Sequence, residues 1–157
     1  MLALTGSRKP VHLYFAGGKV LITPDDAKRF HIAAGRAVKL FYGEKDADDS
    51  RRRFQDEYLP RLYAWCQTNR ETVRACFLGV PTLHGFAVFV VGRSSQYHFA
   101  LGSKISEFAL DLEEEGWPSN IIQIPHGEPE DLLAFFDPES ALEVYAQPEA
   151  APGEGGA

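Results

Sequence analysis

Residues 72–92 read TVRACFLGV-PTLHG-FAVFVVG, and this stretch decides the fold. Its first nine residues are an apolar run, which predicts a strand. Pro81 and Gly85 bracket a turn. The run 86–92 is apolar at successive positions, so it predicts a strand covered on both faces and central to a sheet. Arg93–Ser95 turns the chain again, and QYHFAL at 96–101 predicts a third strand. Short turns between long apolar runs favour an antiparallel meander.

Toward the C-terminus, Ser103 is placed to cap a helix over 104–115, with Ile105, Phe108, Ala109 and Leu112 as its buried face. Gly116 suits the residue after the helix end, and Pro118 blocks continuation. NIIQIP at 120–125 predicts a strand, and Pro129 opens a short helix through Phe136. ALEVYA at 141–146 fits either a strand or a helix. From Gln147 the chain reads QPEAAPGEGGA, a tail with no core to join.

Toward the N-terminus, Phe54, Tyr58, Leu62 and Cys66 recur at helical spacing, widened by Leu59 and Trp65. Pro60 interrupts this stripe and predicts a kink, or two helices over 51–58 and 60–69. Residues 11–15 and 19–22 form a hairpin pattern around Ala16–Gly18. Thr23–Pro24–Asp25–Asp26 combines an N-cap hydroxyl, a proline at the first helical position and a carboxylate at the third. It predicts a helix to about His31, then a turn at Gly35 and a strand over 37–42.

Pro24, Asp26, Ala27, Ile32, Gly35 and Val38 together resemble a short module of swapped-hairpin and double-psi barrel proteins. The resemblance spans about twenty residues. It implies strand–helix–strand packing and carries no chemistry. Members of the swapped-hairpin group often bind DNA as dimers.

The expected fold is therefore a single α+β domain over 1–146, with a disordered tail over 147–157. Its sheet is mixed or mainly antiparallel, of five to seven strands, with helices mostly on one face. A ferredoxin-like βαββαβ core over 37–125 is one form of this expectation.

Composition excludes several classes. The chain has 157 residues, 45% of them hydrophobic and 24% charged, which suits a globular domain rather than a disordered chain. Net charge is -6, but residues 1–80 carry 14 basic against 9 acidic side chains, and residues 81–157 carry 2 against 13. Such polarity suits contact with another protein or a second copy, and the acidic half disfavours nucleic acid. Two cysteines make no disulfide framework, and no run reaches membrane-spanning length. The expected place is the cytoplasm, with no membrane and no cofactor.

No nucleotide-binding loop, zinc-protease helix or nucleophile elbow is present. His12, His31, His84, His98 and His126 stand at no metal spacing, so no metal is expected. The most concrete enzyme reading pairs Cys76 with His98 or His84, oriented by Asp56 or Glu107. The leading expectation is instead a non-catalytic recognition domain that binds a partner or itself, with homodimerisation as one form. Its contact residues would be Arg51, Arg52, Arg53, Trp117, Glu113 and Glu114. A small enzyme or ligand-binding protein with a Cys/His pocket is the first alternative, and a nucleic-acid-associated protein the second.

Overall fold

A computed structural model describes residues 9–42, 47–82, 84–127 and 129–147. The central apolar runs pair as the sequence requires. Strands β4 (Val73–Leu78) and β5 (Phe86–Gly92) form an antiparallel pair. Between them Gly85 adopts φ 136°, and a β-carbon there would meet the Pro118 carbonyl oxygen at 2.6 Å. Only glycine serves that position.

After β5 the meander is not formed. Residues 96–98 are not a strand, and α4 (Phe99–Glu114) starts five residues before the expected point. His98 supplies the reason: its imidazole Nδ1 accepts the Leu101 amide at 3.0 Å and caps the helix, leaving Ser103 inside it. The end of α4 is as expected. Gly116 has φ 93°, its amide donates to Glu113, and the Trp117 amide donates to Leu112. That is a Schellman closure. The chain then enters β6 (Ser119–Ile124), parallel to β5.

At the N-terminus the first apolar run splits. Strand β1 (Val11–His12) joins the main sheet, whereas β2 (Tyr14–Ala16) and β3 (Lys19–Leu21) form a separate hairpin. Gly17 and Gly18 have φ of 60° and 77°, so two residues make the turn, with the positive φ values of type I′.

The helix over 24–31 and the strand over 37–42 are corrected. Pro24–Asp26 is a 3-10 turn that runs into α1 (Ala27–Tyr42), a single helix through Gly35. Phe30, Ala34, Ala37 and Val38 are buried at helical spacing. Burial of that stripe outweighs the roughly 0.5–1 kcal/mol that a helical glycine costs. The barrel-like module is therefore absent, and the βαββαβ core loses its first strand. Thr23 also differs from expectation: its backbone carbonyl, not its hydroxyl, accepts the Asp26 amide.

Helix α2 (Ala47–Arg53) leads into a π-helical turn over Phe54–Tyr58 and then α3 (Leu59–Thr68). Pro60 thus follows a widened turn rather than a break. The Leu59 amide donates to the Phe54 carbonyl, five residues back. This shift in hydrogen-bond register accommodates the proline that would otherwise clash with the turn before it.

The ambiguous run 141–146 is β7 (Leu142–Ala146). It pairs parallel to β1 and antiparallel to β4, giving the sheet order β1-β7-β4-β5-β6. The fold is mixed α+β. The helices share the main core with one sheet face, around Phe54, Tyr58, Phe86 and Trp117. The other face carries a smaller cluster, in which Phe136 sits 5.0 Å from the rings of both Phe77 and Phe89. The covering there is the 3-10 segments Pro129–Ala134 and Pro138–Ser140. Gln147 is anchored by its side-chain amide, which donates to the Arg70 and Val73 carbonyls. The rest of the expected tail lies outside the described residues. Among the described residues, no helix is long and apolar enough to cross a membrane.

Candidate functional site

The thinly covered sheet face holds a groove of about 1000 Å³. Its depth follows from side-chain size along two rows of the sheet. One row runs His12, Glu143, Phe77, Phe89 across β1, β7, β4 and β5. The other runs Ala146, Ala75, Val91, Ile124 across β7, β4, β5 and β6. Phe136 packs onto the first row, and the two alanines leave the second row low. Register shifts in β4, between Val73 and Ala75 and between Cys76 and Phe77, lie beside this floor. Bulges of this kind bend a strand and re-aim its side chains.

The wall beside this floor is made by Pro125, His126 and Gly127 together with Asp131, Leu132, Phe136 and Pro138. Its closing end is tied by Arg29 on α1, whose guanidinium donates to the carbonyls of Lys9 at 2.6 Å and Glu139 at 2.9 Å. One cation thus clamps the chain entering β1 to the chain entering β7.

Polar groups gather at the groove's β1 edge. The His12 Nδ1 meets a carboxylate oxygen of Glu143. The Tyr14 ring stands edge-on to the imidazole, with centroids 4.4 Å apart. Among the described residues, Lys9, Arg74, Asp131 and Glu143 are the formally charged side chains lining the groove, two of each sign. An apolar floor with a few polar groups at its rim is the usual form of a small-ligand site.

The Cys/His pocket is not formed. Cys76 is buried on the helix-facing side of the sheet, next to Cys66 of α3. Burial pushes the Cys66 thiol well above its ordinary value, and the neighbouring Cys76 raises it further. Both thiols are therefore placed as core side chains. His84 lies exposed in the turn between β4 and β5, and His98 is occupied as a helix cap. Asp56 and Glu107 are exposed on helical turns. Among the described residues no hydrogen bond or ion pair joins Cys76 to any of these four.

The expected contact residues are also dispersed. Trp117 is interior, 4% exposed, with the Tyr58 ring 5.1 Å away and the Arg53 guanidinium 5.5 Å over its face. It is a core residue and not a surface anchor, because the Schellman turn folds it back under α4. Arg51 pairs with Asp48 at 3.1 Å and Arg53 with Glu57 at 3.2 Å, so the arginines offset acids of their own helical stretch. Arg52, Glu113 and Glu114 are exposed.

The sequence places His12 in an alternating strand and His126 in a turn without giving either a role, and Glu143, Arg74 and Asp131 were missed as site residues. His12 and Glu143 are 131 positions apart, and no local pattern links them. The available signal was a histidine at an alternating strand position. Among the described residues no three His, Cys, Asp or Glu side chains converge as a metal site. Comparison with protein-family models, curated proteins and solved structures finds no match to this chain.

Proposed function

We propose that the chain is a recognition domain that holds a small amphipathic ligand in the groove on the open face of its sheet. The observation that carries this reading is the alanine-floored trench, about 1000 Å³ in volume, with apolar side chains below and charged groups at its rim. A concave apolar bed of this size with a few polar groups at its edge matches the form of small-ligand sites. The His12–Glu143 pair at one edge supplies a fixed polar end to an apolar bed.

The test is a methyl-resolved NMR titration of the full chain with 2-methoxynaphthalene, an apolar probe with one weak acceptor. Shifts confined to Ala75, Val91, Ile124, Leu132 and Ala146 support the reading. Ala75→Leu, which raises the floor, should weaken that binding at least about tenfold while changing stability by no more than about 1 kcal/mol. Shifts elsewhere, or none at saturating probe, overturn it.

A second reading, self-association, is favoured by one observation. Tyr97 and Phe99 form an exposed aromatic pair, with Phe99 80% exposed, and the neighbouring His98 is bonded to Gln123 on the outermost strand β6. An edge strand without lysine or proline can pair with its own copy. Sedimentation that gives a concentration-independent monomer mass removes this reading.

A further inference from the structure

We infer that the groove selects a neutral ligand carrying a hydroxyl or N–H donor beside its apolar body, and that His12 is the specificity-determining residue which accepts that donor. The inference rests on the groove being a ligand site.

Glu143 fixes the chemistry of the ring. An ionised carboxylate only accepts hydrogen bonds, so the nitrogen it meets must carry the proton. That nitrogen is Nδ1. In the neutral imidazole the lone pair is then on Nε2, and which nitrogen is protonated follows from the bond the other one makes. Nε2 has no hydrogen-bond partner among the described residues, although the ring lines the groove and its side chain is 40% exposed. Tyr14 packs against the ring and limits its rotation. The product is an oriented acceptor at the end of an apolar bed.

Charge decides that the ligand is neutral. Lys9 and Arg74 face Asp131 and Glu143 around the same groove, with His126 as a further titratable group. Among the described residues the two formal charges of each sign cancel. An anionic head at Nε2 would also meet the nearby Glu143 carboxylate, and a cationic head would share the rim with Lys9 and Arg74. A neutral donor meets neither penalty. A ligand lacking the donor would leave the His12 lone pair dry and unpaired, which is how polar sites reject close analogues.

The experiment compares 2-naphthol, 2-methoxynaphthalene and 2-naphthoate on the full chain at about pH 8. The expected order places 2-naphthol about fivefold tighter than 2-methoxynaphthalene, the size of one net hydrogen bond, with 2-naphthoate weakest. His12→Phe should abolish the preference while retaining 2-methoxynaphthalene. Glu143→Gln presents an amide that can donate to Nδ1, admits the other tautomer, and should shrink the preference. Ring ¹⁵N signals of His12 should report Nδ1–H in the native chain and a shift toward Nε2–H in Glu143→Gln, a readout that loss of packing alone would not produce. Equal binding of the two neutral probes, tighter binding of 2-naphthoate, or an Nε2–H tautomer in the native chain overturns the inference. If 2-methoxynaphthalene still shifts the floor methyls in those cases, the groove reading survives; if no probe does, both fall.

Discussion

The two faces of the sheet are built from the same strands and packed by opposite rules. On the helix side, Phe54, Tyr58, Phe86 and Trp117 form a contiguous aromatic cluster, and the Tyr58 hydroxyl is satisfied by Ser119 at 2.7 Å. Both cysteines are enclosed there. On the other face a single aromatic, Phe136, bridges Phe77 and Phe89, and the adjoining row falls away to alanine. One face is filled for stability, and the other keeps a gap beside charged groups. The difference teaches where to look for function: both thiols are enclosed on the filled face, and the small side chains of Ala75 and Ala146 shape the open one.

The largest expected effect tests the filled face. Phe86→Ala should cost about 3–5 kcal/mol, because Phe86 is fully buried among three aromatic rings, and urea unfolding measures it. The matching change on the open face, Phe136→Ala, should cost less, roughly 2–3 kcal/mol, since water from the groove can enter the vacated space. Equal losses at the two positions would erase the contrast.

The thiols sharpen the comparison next. Cys66 binds its proton more tightly in the folded chain than in the unfolded one, chiefly because burial disfavours the thiolate. Its contribution to stability is then fully present below the unfolded thiol's range, about pH 8–9, and is lost as pH rises through that range toward the folded value. Urea midpoints should fall on the alkaline side, and Cys66→Ala should flatten that fall. Ellman's reagent should leave both thiols unmodified until the chain unfolds. Rapid labelling of native Cys76 would instead reopen the nucleophile reading.

The smallest effect belongs to the surface. Arg61 pairs with Glu115 at 3.1 Å and lies over the Phe108 ring at 5.0 Å. Glu115→Gln, which removes the charge and leaves the arginine stacked, should change stability by no more than about 0.5–1 kcal/mol, and less in high salt.

Much of the fold was legible where one segment supplied its own reason. Strands β4 and β5 are apolar enough to demand burial, and Gly116 and Pro118 mark the end of α4. The reading failed where distant contacts chose between local options. Gly35 looked like a turn, yet the buried stripe from Phe30 to Val38 held the helix together. QYHFAL looked like a strand, yet His98 capped a helix while Gln123 bracketed its backbone. Pro60 looked like a break, yet a π turn absorbed it. The candidate site was the least legible part, because its polar edge, floor and wall come from segments far apart in the chain.

Composition and periodicity by themselves determined an α+β domain, the central strand pair and a hydrophobic interior large enough to hide both thiols. These follow from burial and backbone hydrogen bonding, which act within a run of neighbours. Tertiary structure alone decided that β7 inserts between β1 and β4, that Ala75 stands opposite Ala146, and that His12 meets Glu143. Strand register sets these meetings, and register is fixed only when residues far apart in the chain compete for the same place in the sheet.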